Sequence, residues 1–154
     1  VAYIVNQIRE EARPQAMLEA AASMLGRATS SQAAVMSYSP DDGWKILATH
    51  GSWPETIDES HLAEHLADGS DTFEVHFGEH RVFGRRTWYH GAVNGSVLLM
   101  RNALAPRWHE DEHAILSAVT GQLAIAMRQI ADQRDLEHMS KTDGLTGLMN
   151  RRAF

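Results

Sequence analysis

The sequence predicts an α+β fold: an antiparallel sheet with its first and last helices packed on one face, the last running on as a long helix. Three observations lead there. Between residues 33 and 101, short apolar runs alternate with clusters of turn residues. An Ala-rich run with helical spacing precedes them at residues 15–25. A proline-free helical stripe follows them at residues 112–139, with Gly121 its single glycine.

Residues 1–11 are helical by pattern, with Ile4, Ile8 and Glu11 on one face and Val1 and Val5 near it. Pro14 suits the first turn of the next helix better than an interior position. That helix, residues 15–25, presents Met17, Leu18, Ala21, Ala22 and Leu25 as its buried stripe, and Gly26 reads as its terminator. Residues 33–38 and 44–50 read as strands joined by Ser39-Pro-Asp-Asp-Gly43, which has the residues a chain reversal needs. Gly51-Ser-Trp-Pro54 leaves the sheet, and residues 57–66 form a short polar helix. In residues 71–77, Phe73, Val75 and Phe77 point one way and Thr72, Glu74 and His76 the other. Residues 78–84 read as a turn-rich connection. Residues 85–90 and 93–101 form a last hairpin, turning near Gly91, in which Gly95 marks a bulge or a close approach by another element. The insert and loops of residues 51–84 are expected to cover the sheet face away from the helices.

Trp108 opens the last helix. Ile115, Leu116, Val119, Leu123, Ala126, Met127 and Ile130 lie on one face of it, and Glu110, Asp111 and Glu112 sit at the positive end of its dipole. At 1.5 Å per residue it spans about 45 Å, longer than the core beneath it requires. Beyond Ile130 a fresh apolar pair, Leu136 and Met139, is out of phase with the stripe, which locally rotates a coiled-coil seam. An isolated polar helix end frays, so pairing with a second copy is expected through this helix, with the N-terminal helix as a further contact.

The chain has 154 residues, 44% of them hydrophobic, enough for one core and an appendage. Its net charge of −6, from 14 Lys+Arg against 20 Asp+Glu, argues against nucleic acid or an anionic membrane as partner. It contains no cysteine, which excludes disulfides, Cys-based zinc sites and thiol nucleophiles. No apolar run approaches a membrane span and no signal peptide is visible, which gives a cytoplasmic reading. Val1 is not a natural start and the sequence stops inside a motif, so a piece of a longer protein is expected.

That motif is Thr142-Asp-Gly-Leu-Thr-Gly-Leu-Met-Asn-Arg-Arg-Ala-Phe154. Thr142 and Asp143 can end the long helix, Gly144 and Gly147 permit tight backbone, and Thr146 can cap a new turn. The residues alone suggest a hinge. The pattern D-x-L-T-G-L-x-N-R-R-x-F over residues 143–154 closely resembles the opening of GGDEF domains, the catalytic domains of diguanylate cyclases. The resemblance implies a junction role for Asp143, Leu145, Thr146, Gly147, Leu148, Asn150, Arg151 and Arg152. The family's metal and nucleotide residues lie downstream, so no catalytic residue is assigned within this chain, and the magnesium that a cyclase needs would bind beyond it.

The preceding part resembles a GAF domain over residues 15–129. Its carriers are Leu18-Glu-Ala-Ala-Ala-Ser-Met-Leu25, Trp44-Lys-Ile-Leu-Ala-Thr-His-Gly51, Gly95-Ser-Val-Leu-Leu-Met100, and Trp108-His-Glu-Asp-Glu-His-Ala-Ile-Leu116 leading to Leu123-Ala-Ile-Ala126. The resemblance implies a sensory domain that binds a small ligand, or none, between the sheet and residues 51–84. The bilin-attaching cysteine and the cyclic-nucleotide signature of some members are absent. The expected organisation is a helical linker at 1–14, the GAF-like domain at 15–129, a signalling-helix linker at 130–142 and the start of a GGDEF domain in cis at 143–154. No cofactor is assigned, and the ligand is an unidentified small molecule. Two alternatives stand beside this reading: a ligand-free dimerisation module and a zinc hydrolase.

The hydrolase alternative comes from His109-Glu-Asp-Glu-His113, which matches H-E-x-x-H, two zinc-binding histidines with a glutamate to activate water. It lies in the acidic first turn with no third ligand after it, so adventitious metal uptake by His109 and His113 outranks catalysis. His61-Leu-Ala-Glu-His65 matches the inverted pattern, but it is short and polar and reads as a surface helix rather than a catalytic one. As pocket candidates we take His61 and His65 in the insert, with His50, His76 and His90 on strands near Trp88 and Tyr89; if several converged they could hold an anion, a metal or a haem-like group. Arg81, Arg85 and Arg86 form a small basic cluster, read as an exposed hairpin face.

Overall fold

The structure is a computed structural model that describes residues 13–54 and 71–145, the side chains of Phe77 and of residues 138–145 excepted. The expected helices at residues 1–11 and 57–66 lie outside the described residues.

Helix α1 (Pro14–Ala28) opens on its proline, whose missing N–H is one the first turn leaves unpaired anyway. Its buried side is Leu18, Ala21, Ala22, Leu25 and Gly26. The helix continues two residues past Gly26 and closes at Thr29, whose amide and hydroxyl both donate to the Leu25 carbonyl, at 3.0 and 2.6 Å. Gly26 is therefore not the terminator. A Cβ there would clash with the His50 ring, so the glycine is a slot for that ring.

Five strands follow: β1 (Gln32–Ser39), β2 (Gly43–His50), β3 (Thr72–Phe77), β4 (His80–Tyr89) and β5 (Ala92–Asn102). They pair antiparallel in the order β2-β1-β5-β4-β3. The central strands β1 and β5 are covered on both faces, so Ala33 to Met36 and Val97 to Met100 are buried as continuous runs. The expected connection at 78–84 is shorter than the sequence suggested: only Gly78 and Glu79 turn, and residues 80–84 already belong to β4. Gly84 lies mid-strand because the Phe73 ring packs over it where a Cβ would stand. The β4–β5 turn is His90-Gly91, with φ of 50° and 79°, the twist that matches right-handed strands. Gly95 meets both of its expectations. Thr87 pairs with Gly95 and Trp88 with Val93, leaving Asn94 as a bulge, and a Cβ at Gly95 would clash with the Met127 sulfur and the Met36 carbonyl.

Helix α2 (Glu110–Leu145) is continuous over 36 residues. Its Leu116, Val119, Leu123, Ala126 and Met127 pack with Leu18 and Leu25 of α1 on Ala33, Val35, Ala48, Phe83, Val97 and Leu99 of the sheet. Both helices thus lie on one face, as expected. The other face carries Ala34, Met36, Trp44, Val82, Leu98 and Met100. Trp53 packs there, and the remainder of the expected cover at 55–70 lies outside the described residues. Helix α2 starts at Glu110 rather than Trp108. The His109 carbonyl accepts the amides of Glu112 and His113 at 3.0 and 3.1 Å, and Glu112 returns Oε1 to the His109 amide at 2.8 Å, half of a capping box. Thr142 and Asp143 do not end the helix, which passes through them to Leu145. Once nucleated, a helix extends residue by residue until a proline or a competing contact stops it. One helical segment, Glu110–Glu137, is long and apolar enough by length and composition to cross a membrane, contrary to the expectation that no run approaches that length. Its apolar stripe is packed on the domain's own sheet.

Arg101, near the end of β5, ties these parts together. Its Nη2 donates to the Thr29 carbonyl at the end of α1 and, at 2.5 Å, to Glu112 at the start of α2. Nη1 donates to the Pro106 carbonyl at 2.9 Å, and the guanidinium lies 5.1 Å from the Trp108 ring centroid. Trp108 Nε1 donates to Ser31 Oγ at 2.9 Å, which in turn donates to the Thr29 carbonyl. Arg101→Met removes the charged partner of the half-buried Glu112 carboxylate and one of the two donors to the buried Thr29 carbonyl. We expect a loss of about 2–4 kcal/mol in urea unfolding, partly restored by Arg101→Lys.

Candidate functional site

The face of the sheet away from the helices is built by strand alternation. Even-numbered residues of β1 and β4 point to it: Ala34, Met36 and Tyr38, then Val82, Gly84, Arg86 and Trp88. Tyr38 and Trp44 hold their ring centroids 4.7 Å apart, tilted by 42°. Ile46, Trp53, Phe73, Val75 and Val93 complete an apolar, aromatic surface. Arg86 lies within it at 2% exposure, its guanidinium 5.1 Å from the Phe73 centroid. Trp88, 40% exposed, stands at the hairpin end.

The three arginines do not cluster. Arg81 and Arg85 lie on the helix face and Arg86 on the other, so neighbours in sequence become opposites in the sheet. Arg81 contacts Glu74 at 3.7 Å and donates to the Ala105 carbonyl, and Arg107 reaches the same Glu74 carboxylate at 2.7 Å. Arg86 is thus buried, not part of an exposed face. The signal that could have found it was the alternation of β4 itself, with Val82 two pairs of residues earlier.

The histidines do not share a pocket. His50 ends the edge strand β2 and lies against Gly26. His76 is exposed on the opposite edge strand, β3, within 3.4 Å of Arg81 Nε. His90 is not on a strand: it occupies the β4–β5 turn, stacked on Tyr89 at 4.2 Å. His61 and His65 lie outside the described residues. In the H-E-x-x-H run, His109 is the exposed N-cap, whereas the His113 ring sits edge-on to Phe83 at 4.4 Å. A cap residue does not continue the helical face, so the two rings have different surroundings. Among the described residues no group of three or more His, Asp or Glu is placed to hold a metal.

Two concavities border the helices rather than the Trp44 and Phe73 surface. An open cleft of about 680 Å³ is lined by Ser31, Gln32, His50, Arg101, His109 and Glu112, among others. A narrower groove of about 310 Å³ lies between the β1–β2 turn and α2, with Asp42, Lys45, Tyr89, Asn94, Arg128 and Arg134 in its walls. Of the junction residues, Asp143 and Leu145 are in α2. Thr146, Gly147, Leu148, Asn150, Arg151 and Arg152 lie outside the described residues.

No protein-family model matches the chain, and no curated protein matches it. Solved structures do. The GAF domain of an Acinetobacter phosphoenolpyruvate-protein phosphotransferase superposes with a TM-score of 0.69 at 13% identity, over 87% of this chain and 94% of that one. A far-red-absorbing protein with bound biliverdin IXa gives 0.66 at 13% identity, over 83% and 97%. The GAF domain of a sensor histidine kinase from Pseudomonas syringae pv. tomato gives 0.61 at 18% identity, over 90% and 89%. The chain therefore has the fold of GAF domains.

Gly84→Ala tests the aromatic face. The new methyl displaces the Phe73 ring from β4 and from Arg86, and we expect a loss of about 1–3 kcal/mol in urea unfolding. Phe73→Leu in the same background should recover part of it.

Proposed function

We propose that this GAF-fold chain is the sensory domain of a diguanylate cyclase, dimerising and passing its state through α2 to a GGDEF domain in cis. The observation that carries the reading is the helix. It runs about 54 Å without interruption, well past Ile130, the last among the described side chains to pack on the core, towards the D-x-L-T-G-L-x-N-R-R-x-F pattern. Residues 131–137 are all exposed, so this stretch does nothing for the domain's own core. A cyclase that joins two GTP molecules into cyclic di-GMP needs two catalytic domains facing one another. Two parallel helices supply that symmetry.

The side of α2 turned from the sheet fits such pairing. Ala114, Ala118, Gly121 and Ile125 are exposed at steps of four and three, Ile125 at 47%, and nothing stands near Gly121 where a Cβ would be. Leu136, also exposed, continues the apolar character beyond the Arg128–Asp132 ion pair. A small molecule on the Trp44, Phe73 and Trp88 face is the sensed ligand in this reading. Biliverdin is held by one structural relative, but this chain has no cysteine for a thioether. One observation favours a second reading, a ligand-free dimerisation module: Ala34, Met36, Leu98 and Met100 are already fully buried.

Sedimentation tests the dimer. The 154-residue chain is expected to be dimeric and Ile125→Arg monomeric, with unfolding midpoints alike; a monomeric wild-type chain at high concentration overturns the pairing. The cyclase is tested by extending the chain along its gene past Phe154 and assaying GTP for conversion to cyclic di-GMP. Failure of that assay with an intact dimer leaves the ligand-free module.

A further inference from the structure

The end of the β4–β5 hairpin touches both faces of the sheet at one level. Trp88 and Val93 are cross-strand partners, and Val93 packs into the aromatic face. Their neighbours Thr87 and Asn94 point the other way, towards α2. Strict alternation along β5 would send Asn94 to the aromatic face, since Ser96, Leu98 and Met100 lie on that side. The bulge reverses it. Thr87 Oγ donates to Asn94 Oδ1 at 2.7 Å, and Asn94 Nδ2 donates to the Ala124 carbonyl at 2.9 Å. Ala124 is in the interior of α2, where that carbonyl also serves the helix's own ladder. Thr87 Oγ is 4.0 Å from the Met127 sulfur, which itself fills the space that Gly95 leaves. One turn on, the Arg128 guanidinium lies 5.7 Å from the Tyr89 centroid.

Apolar packing between a sheet and a helix is non-directional and permits sliding. A hydrogen bond to one main-chain carbonyl fixes height and rotation at that turn. We propose that Asn94, oriented by Thr87, is the positioning residue that couples the aromatic face to α2: a shift of Trp88 or Val93 is passed through the bulge to the turn at Ala124. This rests on the reading that α2 carries the signal. The helix turn so held lies just before Ile130, where α2 leaves the core.

The test is a double-mutant cycle read by hydrogen–deuterium exchange of the amides of residues 125–132 in the whole chain. Trp88→Ala perturbs the aromatic face without touching α2. We expect it to change exchange of those amides by about threefold or more in the wild-type background, and by less than about 1.5-fold with Asn94→Asp. The aspartate keeps the acceptor for Thr87 and nearly the side-chain volume, but it cannot donate to Ala124 and turns a carboxylate oxygen towards that carbonyl; Thr87→Val is the uncharged control. An equal response in the two backgrounds, or none in the wild type, overturns the proposal. Should Asn94→Asp fail to fold, Thr87→Val removes the orienting hydroxyl at nearly constant shape. It should at least halve the response, and an undiminished response overturns the proposal. A dimeric chain with no coupling loses this inference alone; a monomeric chain with coupling intact loses the pairing alone.

Discussion

The Arg101 guanidinium joins the end of α1, 72 residues away in sequence, to the loop after β5 and the first turn of α2. Removing such a group from water costs several kcal/mol, and here a carboxylate, two carbonyls and an indole face offset the loss. The placement matters more than the net energy. Glu112 is at once the cap of α2 and the counter-ion of Arg101, so the start of the helix cannot shift without breaking both. With its base fixed, the remaining freedom of α2 lies further along, at the hairpin that grips it near Ala124.

Periodicity made the architecture legible. The stripes of α1 and α2 and the alternation of β3 are direct consequences of where Cβ atoms point, and the structure places them accordingly. Glycine was the ambiguous letter. Lack of a Cβ serves a turn and a close contact equally, and the sequence does not say which. Gly95 offered both readings and took both, whereas Gly26 and Gly84 read as punctuation and turned out to be seats for the rings of His50 and Phe73. Thr142 and Asp143 failed as stops for a related reason: neither residue forbids a helix.

The candidate site was less legible than the fold. Residue types alone suggested converging histidines, yet two of the described three sit on opposite edges of the sheet and the third in a hairpin turn. Arg86 passed as one of a surface trio because proximity along a chain was taken for proximity in space. A strand separates adjacent residues onto opposite faces, and which face is buried depends on neighbours β3 and β5 that no local window contains. Likewise, structural relatives at 13–18% identity share the fold and carry no residue assignment to this chain.

An unbroken helix is also a protractor. Each residue of α2 turns whatever follows by about 100°, so two residues added between Ile130 and Leu145 would swing an attached domain to nearly the opposite azimuth. Seven would return it to within about 20° of where it began, one step further out. The orientation of anything joined to this helix therefore follows a residue count modulo the helical repeat, and insertions of about seven, eleven or eighteen residues preserve it.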